Sequence, residues 1–135
     1  MPAEHVRASL IEAGTYMKSK VGSKTKSMKS IVAAAFMVEP YEILLPDYDQ
    51  VDKRSTVNRV NKARVIVIRP KWSHWNVKLR LDCMEESVTK ETIQKLFEYA
   101  GSYVGLGSFR PGHSGLFGRF RVEAIEPVSF LMSKL

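Results

Sequence analysis

The chain has 135 residues, a length that suits one domain, and at 44% hydrophobic and 26% charged it holds enough apolar material for a packed core. It lacks an apolar run of about 18 residues that would mark a membrane span, and Met1-Pro2-Ala3-Glu4-His5 has no apolar signal region. Its single cysteine, Cys83, cannot make an internal disulfide or a zinc-ligating pair. The expected setting is therefore the reducing cytoplasm. The net charge is +7, and its distribution is uneven. Every charged residue from Lys18 to Lys29 is a lysine, and every charged residue from Lys53 to Leu81 is basic. The acids gather instead at Glu39 to Asp52 and at Asp82 to Glu98. Charge segregated in this way attracts a polyanion.

Residues 3–18 predict a helix, because Val6, Leu10, Ala13 and Met17 fall on one stripe and Pro2 stands where a first-turn proline is tolerated. Residues 19–29 have no apolar period and read as a basic loop carrying Lys24 and Lys26. The apolar run 31–38 suits a buried strand, and 41–45 a second extended piece. Residues 46–62 are polar and read as a long loop carrying Lys53, Arg54, Arg59 and Lys62.

Residues 64–69 (RVIVIR) predict a central strand, apolar on both faces and stopped by Pro70. Residues 74–83 alternate strictly. Trp75, Val77, Leu79 and Leu81 face one way, while Asn76, Lys78, Arg80 and Asp82 face the other, as in a sheet with one dry and one cationic face. Thr89 is placed to cap a helix running to Ala100 with the stripe Ile93, Leu96, Phe97 and Ala100, and Gly101 to end it in the left-handed conformation. Residues 119–125 alternate again, and 127–132 suit a further short strand. Helices on one face of a mainly antiparallel sheet make an α+β layer, and the order fits a ferredoxin-like fold lacking its usual first strand.

The strongest chemical signal is the stretch 101–118. It holds six of the eight glycines: Gly101, Gly105, Gly107, Gly112, Gly115 and Gly118. Glycines let the backbone approach a ligand, and successive N–H groups then form a nest for anions. Phe109, Arg110 and Phe117 lie within it, and Arg119 and Arg121 follow, a mixture suited to phosphate pairing and base stacking. It is not a P-loop, since no Gly-Lys-Ser/Thr opens a helix. Arg69, Lys71 and Trp72 sit at the turn between the two clearest strands, with Trp72 the better stacking candidate and Trp75 on the core register. The three histidines, His5, His74 and His113, have no metal-site spacing, and His113 is the best placed of them for general-base work.

The segment RVIVIRPKWSHWNVKLRL, the helix ending in EYAG and the run YVGLGSFRP…GLFGRFRV resemble the glycine-rich-loop signature of the RAMP superfamily, the RNA-binding subunits of CRISPR effector complexes, and are similar to related bacteriophage proteins. The resemblance covers most of residues 2–124 and implies an RRM-like ferredoxin fold holding single-stranded RNA. By position it assigns Gly105, Gly107, Arg110, Gly115, Gly118 and Arg119 to the loop motif. The chain opens at the helix where the family has a strand first, so a strand donated by 127–132 or by a second copy is expected to complete the sheet.

The reading is a non-catalytic module for single-stranded RNA or DNA, without cofactor or metal. Its binding residues are Lys24, Lys26, Arg69, Lys71, Trp72, Lys78, Arg80, Gly105, Gly107, Phe109, Arg110, Gly115, Gly118, Arg119 and Arg121. Two other readings stay open. One is a phage-encoded protein that mimics a RAMP subunit and docks on a CRISPR-type complex in the host cytoplasm. The other is a RAMP-type endoribonuclease using His113 or His74.

Overall fold

The computed structural model describes residues 1–21 and 24–126, with the backbone alone over 19–21 and at 24. Helix α1 (Ala3–Ala13) continues into a single 3₁₀ turn at Gly14–Tyr16. Three of the four stripe residues do their work there, Val6, Leu10 and Ala13 being fully or almost fully buried, while the helix stops short of residue 18 and Met17 is extended and half-buried. Strands β1 (Lys18–Val21) and β2 (Lys24–Ser27) follow, then α2 (Lys29–Ala35) and β3 (Phe36–Glu39). Strands β4 (Gln50–Val57), β5 (Arg64–Lys71) and β6 (Arg80–Cys83) precede helix α3 (Lys90–Tyr99) and a π-turn at Ala100–Val104. The class is α+β.

Among the described residues the strands pair two by two, all antiparallel: β1 with β2, β3 with β6, and β4 with β5. One core joins the helices to the β3–β6 pair. Met28, Val32 and Phe36 enter from α2 and its flanks, Ile43 from the extended segment after β3, and Leu96, Ala100 and Val104 from α3 and the π-turn. Arg7 clasps the end of α2 by donating to the carbonyls of Phe36 (3.1 Å) and Ala33. The segment around Ile43 is held against the start of α1 by Ala3 N–H to Tyr41 O (2.8 Å) and Ile43 N–H to Met1 O (2.7 Å).

Several expectations need correction. Within the stretch 19–29, read as a loop, residues 19–21 and 24–27 belong to the antiparallel strands β1 and β2, and Lys29 opens α2. The apolar run 31–38 is helix to Ala35 and strand only from Phe36, because a short apolar run does not by itself distinguish a strand from a buried helix. The middle of the polar stretch 46–62, Gln50–Val57, is strand β4, paired to β5 along its whole length.

Strand β5 is not central. It belongs to a two-stranded arm on which Ile66 and Ile68 are 65% and 63% exposed. Pro70 does not stop it, since it pairs opposite Val51. A two-stranded ladder has only edge strands, where proline is tolerated. Only Arg80–Cys83 of the stretch 74–83 enters a ladder, yet burial still alternates up to it, with Trp75, Val77 and Leu79 half-buried and His74, Asn76 and Lys78 exposed.

Helix α3 is capped as expected, Thr89 Oγ1 accepting from Thr92 N–H (3.2 Å). Gly101 does not adopt the left-handed conformation; the chain makes the π-turn and turns left-handed at Gly105, φ 73°. Residues 119–125 run without a ladder. The strand expected at 127–132 lies outside the described residues.

Candidate nucleic-acid interface

The glycine-rich loop folds back on itself. Leu106 N–H donates to Gly118 O (3.0 Å), Phe117 N–H to Phe109 O (2.9 Å) and Gly115 N–H to Arg110 O (2.9 Å). Gly118 is obligatory at this closure. It has φ 83°, and a Cβ there would lie 1.8 Å from the Leu106 carbonyl oxygen. Gly107 differs: φ is 91°, but nothing lies within 4 Å of where its Cβ would be. The closed glycine positions shape the loop, whereas Gly107 leaves an open stretch of backbone at its outer edge. Buried Ser9 of α1 anchors the loop to the core by donating from its hydroxyl to Gly105 O (2.9 Å).

Phe109 and Phe117 meet edge to face across the loop, ring centroids 5.3 Å apart. The β4–β5 arm grips this pair. The Arg54 guanidinium lies 3.5 Å from the Phe109 centroid and 4.9 Å from that of Phe117, and the Lys71 ammonium lies 4.2 Å from the Phe117 centroid. Arg54 is oriented by its ion pair with Asp52 (2.7 Å). Such cation–π contacts contribute about 0.5–1 kcal/mol each where water reaches them.

Between arm and loop opens a cleft of about 740 Å³, a size typical of ligand sites. Its walls bring together seven of the predicted residues, Arg69, Lys71, Trp72, Gly107, Phe109, Gly118 and Arg119, and add Trp75. Trp72 is held at its mouth. Its indole N–H donates to Pro46 O (2.6 Å), and Tyr48 packs edge-on at 6.3 Å. Beside it Asp49 accepts from both the hydroxyl and the backbone N–H of Ser73, and these bonds, the hydroxyl first, hold the Asp49 carboxyl below the usual carboxylate range. Trp75, expected in the core, is half-buried against Phe120 and faces the cleft.

Arg69 and Arg119 are exposed and form no ion pair among the described residues, unlike Arg7, Arg54 and Arg80. The cleft therefore combines uncompensated cations with two indoles, a surface that accepts phosphates and flat rings together.

The other expected residues lie elsewhere. Arg110 staples the loop from outside, donating to Gly107 O (2.9 Å) and contacting His113 Nε2 (3.0 Å). Gly105 and Gly115 are buried in the loop's base. Lys78 and Arg121 are exposed but do not line the cleft, and Arg80 pairs with Asp82 (3.1 Å) in β6. Lys26 projects from β2 on the separate β1–β2 pair, and the side chain of Lys24 is outside the description. Sequence reasoning named Arg54 only as one of four cations on a long loop and left it out of the site; Lys53 and Ser55 beside it are equally polar, so no pattern singles it out.

Among the described residues no helix is long and apolar enough to cross a membrane. No protein-family model, curated protein or solved structure matches the chain.

Proposed function

We propose that the chain is a non-catalytic module that holds single-stranded nucleic acid, RNA first among the candidates, in the cleft between the β4–β5 arm and the glycine-rich loop. The observation that carries this reading is the convergence of Arg69, Lys71 and Arg119 with Trp72 and Trp75 on one open cleft. Phosphates would pair with the guanidinium and ammonium groups, and bases would rest against the indoles. Base–aromatic stacking of this kind contributes about 1–3 kcal/mol per base. Phe109 has a different part on this account: one face is covered by Arg54, so it shapes the cleft while the indoles do the stacking.

The same reading makes the chain a RAMP-like protein of ferredoxin-like plan. Its support is the order α1, β3, β6, α3 with β3 and β6 antiparallel, which corresponds to the helix–strand–strand–helix middle of a split βαβ unit. The β4–β5 arm is then an excursion between the two middle strands, aimed at the loop.

The test is a comparison of substitutions inside and outside the cleft. Arg69→Ala and Arg119→Ala should each weaken binding of a fluorescein-labelled oligouridine by about 1–3 kcal/mol, the range for charge-assisted contacts. Lys78→Ala and Arg121→Ala, away from the cleft, should have much smaller effects. Equal losses at all four positions would mean diffuse attraction to a cationic surface and no site.

A further inference from the structure

The two faces of the β4–β5 arm differ in kind. Directly opposed residues of an antiparallel pair share a face. The register therefore puts Gln50 with Lys71, Asp52 with Arg69 and Arg54 with Val67 on the inner face, the one that grips the loop and lines the cleft. The outer face carries Val51 with Pro70, Lys53 with Ile68, Ser55 with Ile66, and Val57 with Arg64. Its four large aliphatic side chains are all more than half exposed: Val51 56%, Val57 51%, Ile66 65% and Ile68 63%. A contiguous apolar face on a hairpin to which no further strand pairs among the described residues is a poor surface to leave in water, because a two-stranded ribbon is marginally stable alone and its edges invite pairing.

Charge along the arm indicates what covers it. At the base the approach to β4 is acidic, with Asp47 and Asp49, while the cations of that end, Arg69 and Lys71, belong to the inner face; the tip is basic, with Arg59, Lys62 and Arg64. The two aspartates and the three tip cations are exposed. Away from its inner face, the arm thus has opposite signs at its two ends with a strip of valine and isoleucine between them. A surface of that design is complementary to itself when reversed.

We propose that two copies of this chain pack outer face to outer face, their arms antiparallel about a two-fold axis. The aliphatic strips bury each other, and Arg59 and Lys62 of one tip meet Asp47 and Asp49 at the partner's base. Two-fold symmetry makes each contact occur twice. A parallel arrangement would set tip against tip and repel. Nucleic acid fits this face poorly, since it has only Lys53 and Arg64 among aliphatic neighbours. The proposal does not depend on what the cleft binds.

The experiment is light scattering and sedimentation of nuclease-treated full-length protein over a concentration series. The expected result is a dimer that dissociates on dilution. Ile66→Asp with Ile68→Asp should give a monomer with an unchanged circular dichroism spectrum. Arg59→Glu with Lys62→Glu should weaken the dimer at least tenfold, as should Asp47→Lys. An equimolar mixture of these last two proteins should associate more tightly than either does with itself, because reversed tip then meets reversed base. As a check that needs no disruptive change, Ser55→Cys on the outer face should cross-link between copies with a short bis-maleimide, and Thr56→Cys on the inner face should not. The proposal is overturned by a protein that stays monomeric at every concentration, by a dimer that survives both aspartates, by association lost on nuclease treatment, or by a mixture that gains nothing. A monomer that instead binds a different protein through this face would equally overturn it.

Discussion

Arg54 ties arm to loop, and its removal should register in stability. Arg54→Ala deletes the contacts with Phe109 and Phe117 and leaves Asp52 unpaired. An exposed ion pair contributes little, so the expected loss is about 1 kcal/mol, mostly from the ring contacts. It should be read as a lower denaturant midpoint with unchanged slope. The glycines of the loop should separate into two kinds. Gly118→Ala drives a Cβ into the Leu106 carbonyl at a positive φ and should open the loop, abolishing binding and lowering the melting temperature by many degrees. Gly107→Ala meets no atom, so it should cost only about 1 kcal/mol for the left-handed backbone. Thermal denaturation of both variants checks the contrast.

A third residue-scale expectation concerns Asp49. The Ser73 hydroxyl and N–H hold its carboxyl below the ordinary value of 3.8, so carbon-detected NMR titration should find it ionised under more acidic conditions than a free aspartate, and Ser73→Ala should raise it. Because the folded value is the depressed one, the linked stabilisation is present above pH 3.8 and disappears as the pH falls through the folded value.

At the scale of elements, the two longer helices were the most readable part of the chain. Their apolar stripes repeat at helical spacing, and Thr89 is a cap with its acceptor in place. Thr89→Ala should destabilise the protein by about 1 kcal/mol, seen as a lower urea midpoint by far-ultraviolet dichroism. Helix α2 was misread because Ile31 and Val32 favour strands and the run is too short to show a period, while Ala33, Ala34 and Ala35 carry the helix. The β1–β2 pair and β4 have no apolar alternation to betray them. Strand β4 exists through its register with β5 and through Arg54 on the loop, both long-range facts. Residues 119–125 show the opposite failure: the alternation is present, but among the described residues no strand pairs with it.

The site was legible in its chemistry more than in its boundaries. Glycine density marked the loop, and the acid-free stretch marked the arm's cations, so seven of the named residues meet at the cleft. The sequence does not show that the Arg110 guanidinium donates to the Gly107 carbonyl, a contact that gives it a structural part beside the binding role expected of it. Arg110→Ala should therefore reduce stability together with affinity, whereas Arg119→Ala should reduce affinity alone; parallel melting and binding curves separate the two.

Taken whole, the molecule places its helices and the β3–β6 pair at one core and sets the arm over the glycine-rich loop to make the cleft. The net charge of +7 supplies long-range attraction to any polyanion, but a site with a fixed number of phosphate contacts has a defined response to salt. Three cations line the cleft, Arg69, Lys71 and Arg119. With each phosphate contact contributing a slope of about −0.7 for single strands, the logarithm of the affinity should fall with the logarithm of salt at a slope of about −2. The decisive measurement is that slope, taken by fluorescence anisotropy with a labelled oligouridine between low and moderate salt, for wild type and for Arg119→Ala. The account predicts a slope near −2 that becomes shallower by about 0.7 in the variant; a flat line, or a slope the variant leaves unchanged, would contradict it.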